Sequence, residues 1–186
     1  MKDMNTLIDD YLTNADRFSA VVDASGDWTA PSPCEGWTAR DVLDHVVDSQ
    51  RAFLDKHGLV KRDLDPDPRP EDEPRQVWAA HLDGVRRVVA DDAVVAAEYD
   101  GYFGRTSIAD TLANFYGFDL VAHRWDLGRA LGQDVRWSED EMDRLEAAMA
   151  GFGDALYSEG VCKPALDVPA DADRQTRLLG KMGRRA

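Results

Sequence analysis

Apolar residues recur at intervals of three and four along most of the chain, which is the spacing of one buried face of an α-helix. In the first segment this face consists of Met4, Leu7, Ile8, Tyr11, Leu12, Ala15, Phe18 and Val22. The pattern predicts a first helix from about residue 4 to about residue 24, and the polar Ser25-Gly26-Asp27 sequence ends it.

Two helix starts carry the signal of a capping box, in which side chains satisfy the first free backbone N–H groups. Thr38 precedes an apolar run and is followed by Asp41, so it predicts the start of helix 2. The buried face of helix 2 is predicted to hold Ala39, Val42, Leu43, Val46, Val47, Phe53 and Leu54. Ser138 with Glu141 is a stricter match and predicts a last helix over about 138–158.

The middle of the chain predicts two more helices, over about 72–90 and about 107–131. Residues 58–70 are rich in proline and aspartate and are too long for a tight helical hairpin, so this segment predicts a crossover connection. Within the segment from 93 to 105, Val94 to Tyr99 fits either a short strand or an extended lead-in. The last segment, 161–186, is expected to wrap the helices and to contain one short helix.

Composition is consistent with one globular all-α domain over residues 1–186, with 161–186 as a peripheral tail. The chain has 186 residues, 44% of them hydrophobic, and a net charge of −14. This acidity excludes nucleic acid and anionic membrane as expected partners, because both need basic patches. The sequence has no apolar run of membrane length and no signal-peptide pattern, so we expect a soluble cytoplasmic protein. Two distant cysteines without a CxxC motif do not form a disulfide framework.

Three ionisable residues interrupt the apolar face of the predicted fourth helix. Asp119, His123 and Asp126 lie among residues that should be buried. A buried ionisable group costs several kcal/mol unless it is paired or bound. Asp119 and His123 are four residues apart, so both side chains can turn toward one ion. The pattern leaves two interpretations open, a metal site or a buried ion pair without metal.

A metal site would need a third ligand from another element. Two histidines and one carboxylate suit zinc with an open position, and also suit iron, nickel or manganese. Asp126, one turn after His123, could accept the second imidazole N–H and orient the ring. It could equally pair with Arg124 or Arg129.

Four other residues are weaker candidates. His45 lies at the edge of the buried face of helix 2, where the pattern favours a boundary histidine over a ligand. His81 lies on the apolar face of helix 3, as a core histidine or as an acid/base in a pocket. Tyr116 could offer its hydroxyl to a pocket, and Arg86 could reach a pocket rim.

Two long motifs resemble a known family. The segment Pro31-Ser32-Pro33-Cys34-Glu35-Gly36-Trp37-Thr38 together with Asp44-His45-Val46-Val47 resembles the helix 2 signature of the DinB-like metal-binding superfamily. His123-Arg124-Trp125-Asp126-Leu127-Gly128-Arg129-Ala130-Leu131-Gly132 is similar to a segment of one branch, the mycothiol-dependent maleylpyruvate isomerase N-terminal domain. The tail resembles a related actinobacterial subgroup, so the similarity covers essentially the whole chain.

The resemblance implies a four-helix bundle with a long connection after helix 2 and a fifth helix or tail packed on it. It implies a metal held by His45, Asp119 and His123, with zinc as the expected ion and nickel or iron as alternatives. The isomerase branch has glutamate where this chain has Asp119, so the shorter carboxylate changes the reach to the ion. The family's catalytic arginine has no firm match; Arg86 is a positional candidate.

The expected function is a metal-dependent thiol transferase or isomerase that uses mycothiol or a similar small thiol on a small electrophile. Asp126 would support the metal ligands, and His81 would act as an acid/base. Maleylpyruvate isomerisation itself is not predicted, because the isomerase has an additional C-terminal domain. The alternative is a non-catalytic metal-binding or ligand-binding bundle, and a homodimer through an apolar helix face is a further expectation.

Overall fold

The computed structural model describes residues 3–60, 64, 69 and 71–186, and most of them are helical. The α-helices are Met4–Asp23 (α1), Ala39–Lys56 (α2), Pro74–Val89 (α3), Asp92–Val95 (α4), Ile108–Thr111 (α5), Gly117–Ala130 (α6), Glu139–Phe152 (α7) and Arg174–Lys181 (α8). A π-helical turn, Leu112–Tyr116, joins α5 to α6, and a 3-10 turn, Gly153–Tyr157, follows α7. The strands Glu98–Gly101 (β1) and Gly104–Ser107 (β2) form an antiparallel hairpin.

Side-chain caps fix the starts of α2 and α7. Both predicted capping boxes are confirmed: the Thr38 side chain accepts from the backbone N–H of Asp41, and that of Ser138 accepts from Glu141. In each pair the acidic side chain also accepts from the backbone N–H of the capping residue. These bonds satisfy donors that the helix itself cannot, which sets where the two helices begin.

Two predicted helices differ from their continuous sequence pattern. The predicted fourth helix contains the π-helical turn Leu112–Tyr116, where each backbone N–H reaches one residue further back than in an α-helix. The predicted last helix is α-helical only to Phe152, because Gly153 adopts a left-handed φ of 52° before the 3-10 turn.

The segment between 93 and 105 contains most of a small two-stranded sheet in a mostly helical chain. Val94 and Val95 belong to α4, and the strand begins later, at Glu98. Its partner strand pairs Glu98 with Ser107 and Gly101 with Gly104. Gly104 has a φ of 107°, a conformation that side chains disfavour, so a tight turn follows naturally from this glycine.

Four of the helices surround the core. Helix α1 packs against α3 and α6, and α2 packs against the same two helices. Large side chains fill the space between them, among them Tyr11, Phe18, Leu43, Leu54, Trp78 and Leu120. Helix α7 packs on the outer side of α6. Most of the predicted connection over 58–70 lies outside the described residues.

The C-terminal segment packs on this assembly through α8. Leu178, Leu179 and Met182 are each about 1% exposed. The Gln175 side chain accepts a hydrogen bond from the Trp137 backbone and donates one to the Val135 carbonyl. The segment is therefore held by core packing as well as by polar contacts. In the part of the chain that the structure describes, none of the helices combines the length and apolarity needed to span a bilayer.

Candidate metal centre

Three of the residues predicted as metal ligands meet between α2 and α6. His45 comes from the middle of α2, while Asp119 and His123 lie on successive turns of α6. The His123 Nε2 atom lies 3.3 Å from Asp119 Oδ1, and His45 Nε2 lies 4.0 Å from the same oxygen. One ligand atom from each residue lies within 4.8 Å of the other two. These separations are short enough for one small cation to reach all three.

The second oxygen of Asp119 shows how well a cation would fit. Asp119 Oδ2 is buried and has no hydrogen-bond partner among the described residues. A buried polar atom without a partner costs about 1–3 kcal/mol, and more when it is charged. A cation between the two imidazoles and this carboxylate would provide the missing partner. The residues present therefore fit a divalent metal ion.

Asp126 and Arg184 hold the ring of His123 through its Nδ1 atom, on the edge away from Asp119. Asp126 is fully buried, and its Oδ2 lies 2.9 Å from His123 Nδ1. Arg184 binds the same carboxylate with two nitrogens, Nε to Oδ1 at 2.8 Å and Nη2 to Oδ2 at 2.7 Å. Because the carboxylate holds Nδ1–H, the Nε2 atom of His123 is left free to face Asp119. This is the contact that a carboxylate supporting a metal-binding histidine would make, and the supporting role of Asp126 stays a prediction.

Cys34, His123 and Asp126 form a second group with suitable ligand atoms, also within 4.8 Å of one another. Asp126, however, already receives hydrogen bonds from Arg184, from His123 and from Cys34 Sγ at 3.4 Å. A cation there would have to compete with the guanidinium of Arg184. The group containing Asp119 has an unsatisfied oxygen and no such competitor, so it is the better donor set.

The charges around the centre are strongly coupled. Burial lowers the pKa of His123, but Asp119 and the hydrogen bonds to both carboxylates outweigh it and raise that pKa well above its usual range. Burial also opposes ionisation of Asp119, yet the neighbouring His123 and His45 keep its pKa below the ordinary value. Burial lowers the pKa of His45. Without metal, the centre therefore holds an ion pair between Asp119 and His123 and a neutral His45.

A cavity of about 410 Å³ lies beside the two histidines. Trp37 forms part of its wall, with its ring 4.9 Å from His45 and 6.2 Å from His123. The remaining wall comes largely from the segment after α7, including Ser158–Lys163 and Arg184. Its volume lies in the range of small-molecule sites, about 300–1,000 Å³.

The other predicted site residues lie elsewhere. His81 is buried in the core, where its Nε2 lies 2.9 Å from Gln50 Oε1, and burial lowers its pKa to about 3. It does not line the cavity beside the metal ligands. Arg86 pairs with Asp16 at the surface. Tyr116 donates its hydroxyl to the Ser49 carbonyl at 3.2 Å, one helical turn from Asp119.

The sequence pattern missed the contribution of the C-terminal segment. Arg184 is not among the residues that the pattern singles out, although its side chain is nearly buried against Asp126. Cys34 and Cys162 both line the cavity. A basic residue next to a glycine in a polar tail gives no local signal of burial, so only the tertiary structure could reveal Arg184.

The fold and the donor set define a helical-bundle protein with a candidate metal centre of two histidines and one aspartate. A family model described as the mycothiol maleylpyruvate isomerase N-terminal domain matches residues 9–128, more than half of the chain, and the chain belongs to this family. His45, Asp119 and His123 all lie within the matched range, whereas Arg184 lies outside it. Neither the comparison with curated proteins nor that with solved structures gave a match.

Proposed function

We propose that this protein is a divalent-metal-dependent transferase or isomerase that joins a small thiol to a small electrophile. One observation carries the proposal: His45, Asp119 and His123 converge beside a cavity, and Asp119 Oδ2 is buried without a partner. The family's description names mycothiol, which makes mycothiol the thiol we propose.

Two imidazoles and one carboxylate are a donor set that suits zinc and leaves one coordination position open. In the proposed centre the Nε2 atoms of His45 and His123 and the carboxylate of Asp119 would hold the ion. When bound, the ion supplies Lewis acidity, which lowers the pKa of a thiol in the open position.

The protein's own residues orient the centre and limit the access of water. Asp126 and Arg184 fix the tautomer and direction of the His123 ring, because Nδ1–H is held by a carboxylate that is itself held by a guanidinium. Trp37 covers one side of both imidazoles. A thiol and an electrophile would enter through the cavity that Trp37 helps to line.

We assign the fold as a DinB-like four-helix bundle with α7 and α8 packed outside it. The support is the closed ring of contacts α1–α3–α2–α6, in which each helix touches two neighbours. In this arrangement the ligands come from the facing surfaces of α2 and α6, as metal ligands do in other helical bundles.

Metal content tests the centre directly. Protein purified without a histidine tag and equilibrated with zinc should hold about one ion per chain by mass spectrometry. His123→Ala should hold none, while His57→Ala, a histidine outside the centre, should match the wild type. A wild-type protein that takes up no zinc, nickel or iron would refute the centre.

Turnover tests the catalytic role. Mycothiol-dependent turnover of an electrophile by the wild type, and its loss in His45→Ala, would support that role.

A second candidate function is a non-catalytic metal site. Cys34 Sγ lies within 4.8 Å of donor atoms of His123 and Asp126, so a turn of this side chain would offer a fourth ligand. Four protein ligands close a zinc site, which is typical of structural zinc. Cys34→Ser separates the two cases: a closed site predicts a marked loss of zinc affinity, and an open site predicts unchanged affinity. A homodimer remains a prediction in either case.

A further inference from the structure

A second cavity of about 650 Å³ lies at the C-terminal end of α2, between the hairpin and the π-helical turn. Most of its wall is aromatic, with contributions from Phe53, Tyr99, Phe103, Phe115, Tyr116 and Phe152. The volume again falls in the range of small-molecule sites.

The aromatic rings form a continuous surface that is left partly open to solvent. Phe103 and Phe115 each lie about 6 Å from Phe152, at 5.9 and 6.0 Å, and Phe53 lies 5.2 Å from Tyr116. Phe103 is nevertheless 63% exposed and Phe115 is 41% exposed. Exposed aromatic surface is unfavourable in water, and a contiguous patch of it usually marks a binding site.

The π-helical turn is part of this wall. Within it, Leu112 and Tyr116 are buried, while Phe115 is directed toward the cavity and solvent. A π-helical turn within an α-helix is rare and occurs frequently at functional sites. Its position one turn before Asp119 places this irregularity next to the metal centre.

The aromatic cavity is adjacent to the metal centre on two sides. Ser158, Glu159 and Val161 line both this cavity and the one beside the histidines. On the helical side, α2 carries His45, Ser49 and Phe53 at successive four-residue intervals, which lie along one face. Tyr116 bridges this face through its hydrogen bond to Ser49. A molecule bound among the rings would therefore lie along the face of α2 that carries His45, beside the wall that the two cavities share.

The wall chemistry indicates what the molecule is. Aromatic rings pair best with another flat ring at centroid distances of about 4.5–7 Å. The imidazole of His57 is held between Phe53 and Tyr99, and burial lowers its pKa, so it adds no charge at neutral pH. Arg105, at the rim, is paired with Glu98. Among the described residues, Lys56 is the other cation of this wall, and three carboxylates, those of Asp100, Asp110 and Glu159, also line it and would repel a small dicarboxylate. An uncharged aromatic group would instead cover the exposed rings.

We propose that this cavity binds the aromatic part of the electrophile, so that the protein transfers a thiol to aromatic electrophiles. The proposal rests on the thiol transfer proposed above. With chlorodinitrobenzene as the probe, the thiol loses its proton to the buffer and its sulfur bonds to the ring carbon. The carbon–chlorine bond breaks, and its electron pair leaves with chloride.

Binding can be tested without thiol or turnover. N-phenylnaphthylamine, an uncharged aromatic dye that fluoresces in apolar sites, should bind the wild-type protein. Phe115→Ala and Phe103→Ala should each weaken binding about tenfold, because each removes one stacking ring. Both side chains are exposed, and circular dichroism should show unchanged folding. His45→Ala and His123→Ala should lose metal but keep dye binding.

The outcomes separate this proposal from the proposed function. Dye binding that is absent, or unchanged in both phenylalanine variants, would overturn the aromatic site even if mycothiol transfer to the aliphatic chloroacetamide were found. Dye binding that follows the prediction, together with displacement by chlorodinitrobenzene, would support the site even if no transfer occurred. Loss of dye binding as the protein concentration rises, with a dimer in sedimentation, would assign the rings to a second copy and overturn the proposal.

Discussion

Arg184 binds the carboxylate of Asp126 through two of its nitrogens, although the two residues are 58 positions apart in the sequence. The Arg184 side chain is nearly buried in this contact. Asp126 in turn holds Nδ1 of His123 at 2.9 Å. Burial of the two charges has a desolvation cost, which the two-nitrogen contact between the guanidinium and the fully buried carboxylate offsets. The C-terminal segment thus reaches the candidate metal centre through a chain of two contacts, Arg184 to Asp126 and Asp126 to His123.

Loss of the contact between Arg184 and Asp126 should weaken metal binding. Arg184→Met removes the partner of Asp126, so the carboxylate and the His123 ring are less well oriented, and zinc affinity should fall about 10–100-fold. Competition with a chromophoric chelator measures the change. Arg185→Met, at an exposed neighbouring position, is the matched control and should leave the affinity unchanged. Equal affinities in the two variants would contradict a supporting role for Arg184.

The carboxylate of Asp119 should matter through its charge more than through its length. Asp119→Asn leaves a neutral donor and should cost zinc affinity at least as much as Arg184→Met, at least about 10-fold. Asp119→Glu keeps the charge and adds reach, so it should retain the metal. Isothermal titration with zinc compares the two. An asparagine variant that binds zinc like the wild type would remove Asp119 from the ligand set.

His81 should make the stability of the fold depend on pH. Its folded pKa is about 3, against an ordinary value of 6.5, because burial disfavours the charged ring. Between these values the unfolded chain binds a proton that the folded chain does not, so the free energy of unfolding falls as the pH falls. The loss is at most about 1.4 kcal/mol per pH unit.

Urea unfolding of the wild type and of His81→Phe between pH 4 and pH 7 (roughly the window set by those two values) measures the difference. The stability of the phenylalanine variant should decline less steeply toward acid. Parallel curves for the two proteins would show that His81 does not carry this dependence.

Close packing at Gly128 should make even a methyl group costly. A Cβ at this position of α6 would overlap with the Val135 side chain. Gly128→Ala should therefore destabilise the protein by about 1–3 kcal/mol. In a protein that already carries Val135→Ala, the side chain that the new methyl group would overlap is shorter, so Gly128→Ala should lower the free energy of unfolding only slightly. Gly151→Ala in α7, where a methyl group meets open space, is the control and should stabilise the helix by about 1 kcal/mol.

Much of the fold was predictable because helices leave local signals. The capping boxes at Thr38 and Ser138 gave two helix starts. The hairpin and the π-helical turn were not predicted as such, since both depend on how the chain packs after α3. A π-helical turn adds one residue to one turn of a helix. The α-helical parts before and after it each keep an apolar face, so the periodicity over 107–131 does not show where that residue is added.

The candidate site was predictable only in part, for a physical reason. Asp119 and His123 stood out because they are charged residues on an apolar face of one helix. His45 is half-exposed and looked like a boundary residue by pattern, and only the family resemblance pointed to it as a ligand. Arg184 gave no signal, because its burial depends on a contact with another helix. Periodicity reports the face of one helix and does not report which faces meet.

The family match ends at residue 128, before the segment that completes the cavity beside the histidines. The three candidate ligands lie inside the match, whereas Cys162 and Arg184 lie after it. Arg184 also holds Asp126, so the later segment contributes to the candidate centre as well as to the cavity wall. A variant cut after residue 128 would keep every candidate ligand and lose both contributions, so the ligand residues alone do not define this site.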